Sequence, residues 1–94
     1  VNIRRLVLDV DKALARPSLV EIAGAIQALP CVDGLNITVT EIDVETIGMD
    51  VTIEGNGIDY ESVVRAIEST GAVVHSIDQL ICGSRIVERV ARIR

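Results

Sequence analysis

Asp9, Asp11, Asp43, Asp50 and His75 are the residues of this 94-residue chain whose types and placement suit binding chemistry. Carboxylates gathered from several elements suit a hard divalent cation such as Ca²⁺ or Mg²⁺, which prefers oxygen ligands. Glu41 and Glu45 lie close to them in sequence. The regular ligand spacing of a calcium-binding loop is absent, so the competing reading is a set of solvated edge acids that keep the domain soluble. His75, the only histidine, supplies one nitrogen ligand or a protonation-dependent contact if a carboxylate stands beside it. Its plainer role is a hydrogen bond across strands or at a subunit contact. No glycine-rich phosphate loop is present, and no Ser or Cys has an evident base, so no catalytic residue is assigned. An enzyme using His75 and Asp9 as acid and base rests on two residues alone.

The elements that must position these groups start with Ile3 to Asp11. Leu6, Leu8 and Val10 alternate with Arg5, Val7, Asp9 and Asp11, the pattern of a strand in a sheet covered on one side. Ser18 and Glu21 have capping-box spacing at the start of a helix whose inner face is Leu19, Ile22, Ala23, Ile26 and Leu29, closed by Pro30. Leu35, Ile37 and Val39 form a second half-buried strand, Glu45–Gly48 a hairpin connection, and Met49, Val51 and Ile53 a third strand antiparallel to the second. Asp59 caps a second helix, with Ile58 and Val63 as its hydrophobic staple, Val63, Ala66, Ile67 and Thr70 on its inner face and Gly71 as a left-handed terminator. Ala72 to Ile77 is a fourth strand.

The order strand, helix, strand, strand, helix, strand is the split βαβ arrangement. It predicts an α+β fold, a ferredoxin-like βαββαβ sandwich with a four-stranded antiparallel sheet, two helices on one face and the first and third strands in the middle. Gly83-Ser84 between apolar runs adds a C-terminal hairpin or strand extension. Residues 1–84 form the ferredoxin-like domain and 85–94 a basic extension whose pattern fits helix and strand equally. Alternation places Ser76 and Asp78 opposite His75 unless the strand bulges.

Composition bounds the function. A single domain of this length buries roughly two thirds of its unfolded surface, and with no Phe or Trp its core comes from Ile, Val and Leu. The net charge is −5, concentrated in residues 1–84, whereas 85–94 carries four arginines and only Glu88. An acidic body repels phosphate, which argues against nucleic acid as a partner; with Tyr60 as the one aromatic residue, base stacking on the sheet is excluded too. No apolar run approaches the roughly 20 residues of a membrane span, and no secretion signal is evident, so a soluble cytoplasmic protein is expected. Cys31 and Cys82 fall near the bottom of the two outer strands, beyond disulfide reach within one chain.

The chain resembles an archaeal family of uncharacterised proteins, domain of unknown function 211. The resemblance is carried by Arg5–Val10, Val32–Ile37, Ile53–Gly55, Ile58–Glu61 and, most specifically, Val74–Asp78 with Gly83, Arg85, Ile86 and Val87. It implies a ferredoxin-like fold, an archaeal cytoplasm and a homo-oligomer, and it supplies no activity.

The open sheet face is expected to carry Val7, Ile42, Val44, Val73 and Ile77 among Thr38, Thr40, Thr52, Arg5 and Asp9, which is apolar enough to need a cover. A second copy is the cheapest cover, with Val7, Val73, Ile77, Arg85, Ile86 and Val87 at the interface. The function expected is a homo-oligomeric module that binds a metal or small ligand or regulates through it. A purely structural oligomer without ligand is the alternative.

Overall fold

The computed structural model describes residues 1–93. Among them, strands β1 (Ile3–Ala13), β2 (Val32–Ile42), β3 (Thr46–Gly55) and β4 (Val73–Cys82) form one antiparallel sheet in the order β2-β3-β1-β4. Helices α1 (Leu19–Gln27) and α2 (Tyr60–Ser69) complete the ferredoxin-like order expected from the sequence.

Residues directly opposite each other in a ladder share a face, so the register sorts the sheet into rows. On the helix side the rows are Leu35-Ile53-Leu6-Leu80, Ile37-Val51-Leu8-Ile77 and Val39-Met49-Val10-Val74. Their central members pack with Ile22 and Ile26 of α1 and Val63 and Ile67 of α2 in one cluster. Each such side chain, removed from water, contributes about 1.5–3 kcal/mol, which is how a core without Phe or Trp suffices.

The caps behave differently at the two helices. Ser18 accepts a bond from the Glu21 amide and Glu21 returns one to the Ser18 amide, a complete capping box. Asp59 occupies the N-cap of α2 but bonds the Ser62 hydroxyl and no backbone amide. Ile58 and Val63 are both buried, consistent with the staple, and Gly71 follows α2 with φ 103°. Gly55 allows a close backbone approach: a Cβ there would run into the Cys31 carbonyl oxygen.

Three local expectations change. The β2–β3 turn comes earlier than Glu45–Gly48, because the Asp43 amide closes it on the Thr46 carbonyl at 2.8 Å and Thr46 already begins β3. The fourth strand runs past Ile77 to Cys82, which is the strand extension expected as one of two alternatives, whereas residues 86–93 take neither the helix nor the strand that their pattern fits. The open face is polar, not apolar. Register shifts between Val39 and Glu41 and between Val7 and Leu8 place Ile42 opposite Ile47 and Ile77 opposite Leu8, on the helix side, and Val44 lies in the turn. Of the five apolar residues expected on the open face, Val7 and Val73 remain.

Candidate functional site

The open face reads, row by row across β2, β3, β1 and β4, as Gly34-Glu54-Arg5-Ile81, Asn36-Thr52-Val7-Gln79, Thr38-Asp50-Asp9-Ser76 and Glu41-Gly48-Asp11-Val73. Arg5 supplies positive charge at one end, and the opposite end is acidic. There Asp9, Asp11, Glu41, Asp50, His75 and Asp78 surround an open polar basin of about 340 Å³.

Register brings these groups together. Asp9 and Asp50 are direct cross-strand partners, flanked in their row by the hydroxyl residues Thr38 and Ser76 instead of by a cation. Like charges placed directly opposite destabilise a sheet. At the next row, Gly48 stands between Glu41 and Asp11. A Cβ on Gly48 would lie 3.4 Å from Asp11 Oδ1 and 3.5 Å from Glu41 Cβ, so the absent side chain leaves the floor of the basin open.

His75 joins Asp11 through Nε2 to Oδ2 at 2.6 Å. This is the neighbour expected from the sequence, and it orients the imidazole at the rim. Asp78 was expected on the other side of the strand by alternation. Two irregularities in the β1–β4 ladder, between Val7 and Leu8 and between Asp9 and Val10, leave Asp78 and His75 as extra residues without partners of their own. Such bulges re-aim side chains, and Asp78 lines the basin, where its Oδ1 accepts from the Ser76 hydroxyl at 2.8 Å.

Asp43 does not reach the basin. It lines a separate depression in the β2–β3 turn with Val44, Glu45 and Thr46, where its Oδ1 accepts from the Val44 amide at 2.7 Å. Gly48 and Asp78 are the members that sequence reasoning missed. In the sequence Gly48 reads only as part of a turn.

The carboxylates surround the basin without converging. Among the described residues no three His, Cys, Asp or Glu side chains come close enough together to hold a metal ion directly. The arrangement suits a cation that keeps part of its water shell, as Mg²⁺ commonly does when held by one or two carboxylates.

The other end of the face is a cation held by acids. Arg5 Nε donates to Glu54 at 2.7 Å, and Nη1 donates to Glu88 at 2.9 Å and to Gln79 at 3.4 Å. These bonds raise the Arg5 pKa above its ordinary value, Glu88 contributing most and Glu54 next. They also bring the segment after Ser84 back onto the sheet. Ile81, opposite Arg5 and only 5% exposed, is buried apart from the helix-side cluster. Of the interface residues expected from sequence, Val73 is 51% exposed on the open face, Ile77 is 43% exposed on the helix side, and Arg85, Ile86 and Val87 lie exposed beyond β4. Cys31 and Cys82 are both free thiols.

An antiparallel sheet with two helices on one face and an acidic basin on the other defines the protein as a ferredoxin-like α+β domain with an open, charged sheet surface. The family model DUF211, described as Uncharacterized ArCR, matches residues 4–94. A relative from Methanocaldococcus jannaschii, an uncharacterized protein, is 46% identical over 89 residues, which cover 95% of this chain and 91% of the relative. The chain belongs to this archaeal family. Among the described residues no helix is long and apolar enough to cross a membrane.

Proposed function

We propose that the protein is a cytoplasmic, homo-oligomeric binding module whose acidic basin takes a partly hydrated divalent cation, Mg²⁺ or Ca²⁺, as a regulatory or structural ligand. The observation that carries this reading is the Asp9–Asp50 pair, two carboxylates opposite each other in a basin lined by no Lys or Arg, its one basic group, His75, being engaged by Asp11. A cation between them relieves the repulsion, and the missing side chain at Gly48 leaves room for its waters. Asp11, kept in place by His75, and Asp78, kept in place by Ser76, accept hydrogen bonds from those waters. The same acidic field disfavours nucleic acid as a partner.

The absence of three converging ligands among the described residues favours a second reading, a structural oligomer with no ligand. An acid–base enzyme is the third, and His75 engaged by Asp11 instead of Asp9 weakens it. A native mass spectrum of protein prepared without chelator separates the first two. A closed oligomer carrying extra mass that EDTA removes supports the cation; a closed oligomer at bare polypeptide mass supports the structural reading.

A further inference from the structure

The segment after Ser84 has a charge and an exposure that its own chain does not use. Glu88 is its one ion-pairing residue, bound to Arg5, while Arg85, Arg89 and Arg92 make no ion pair among the described residues. Beyond Glu88 the chain leaves its own surface: Val90 is 86% exposed and Ile93 fully so. The acidic basin of the same subunit, two rows away from Arg5 along β1, therefore receives none of these arginines.

We propose that this segment is an arm that docks, through Arg89 and Arg92, on the open sheet face of a second copy of the chain. Charge complementarity selects the occupant. The basin offers five carboxylates and no Lys or Arg among the residues lining it, and the arm offers unpaired guanidiniums, which match carboxylates in planar two-point hydrogen bonds. The Arg5–Glu88 bond fixes the root of the arm on its own subunit, so the residues beyond it project toward a neighbour. Apolar Val90 and Ile93, exposed in one chain, gain cover from the same contact. The proposal rests on the basin being a binding surface and makes the arm and a divalent cation competitors for it.

Sedimentation of the full chain in low salt tests this with three variants. Arg89→Glu with Arg92→Glu reverses the arm, Glu41→Arg with Asp50→Arg reverses the basin, and the third variant carries all four changes. The arm and basin variants are expected to dissociate at concentrations where the wild type associates, and the combined variant is expected to reassociate. A monomeric wild type, an arm variant that sediments like wild type, or a combined variant that folds but stays dissociated overturns the proposal. If the basin substitutions prevent folding, the arm variant, altered only at exposed positions, decides alone. Calcium titration of the arm variant keeps the two readings apart: retained binding with intact assembly removes the arm and leaves the basin, whereas lost assembly without any calcium response removes the cation and leaves the arm.

Discussion

Asp9 on β1 and Asp50 on β3 face each other in the antiparallel ladder, the one cross-strand pair of like charges on the open face. Such a pair costs roughly 0.2–1 kcal/mol. Asp9→Asn in chelated buffer therefore stabilises the protein by an amount within that range, read as an increased urea midpoint at unchanged slope. A destabilised Asp9→Asn means that the carboxylate is already compensated within the fold.

Gly48 gives a complementary variant. The nearest atoms to an added Cβ are at 3.4 and 3.5 Å, ordinary packing distances, so Gly48→Ala keeps the fold while placing a methyl group on the basin floor. Calorimetric titration with Mg²⁺ or Ca²⁺ is expected to show at least a tenfold loss of affinity, equivalent to about 1.4 kcal/mol. Unchanged affinity would move the ligand away from this floor.

Two other glycines should respond in opposite directions. Gly55→Ala forces the Cys31 carbonyl to move, at a cost of about 1–3 kcal/mol. Gly24 lies in α1 with nothing within 4 Å of an added Cβ, so Gly24→Ala stabilises by about 0.5–1 kcal/mol. Chemical denaturation of the pair checks both signs.

The helix caps make a similar contrast. Ser18→Ala removes one arm of a closed capping box and costs about 0.5–2 kcal/mol. Asp59→Ala breaks no backbone bond, only the contact to Ser62, and the smaller loss in thermal melts should show it.

Legibility in the sequence followed periodicity. Leu6, Leu8 and Val10 alternate without interruption and lie fully buried, so β1, the strand order and the shared neighbourhood of Asp9, Asp11, Asp50 and His75 could all be read in advance. Alternation fails where the ladder slips. The β1–β4 irregularities move Asp78 onto the open face and Ile77 off it, and the β2–β3 shift does the same to Ile42. A bulge is set by pairing with another strand, and a single strand's sequence does not record it. Asp59 was legible as a cap position but not in its bonding, because Ser62 competes for the carboxylate. The course of residues 86–93 depends on the long-range Arg5–Glu88 bond, for which periodicity carries no signal.

The most direct test is a thermal melt of wild type and the Asp9→Asn/Asp50→Asn double variant, each with EDTA and with excess Ca²⁺ or Mg²⁺. A cation bound only by the folded protein adds about 2.7 kcal/mol at a hundredfold excess over its dissociation constant. The account expects wild type to gain several degrees with the cation and the double variant to gain none while melting above chelated wild type. A wild type indifferent to both cations, or a double variant that responds as wild type does, contradicts it.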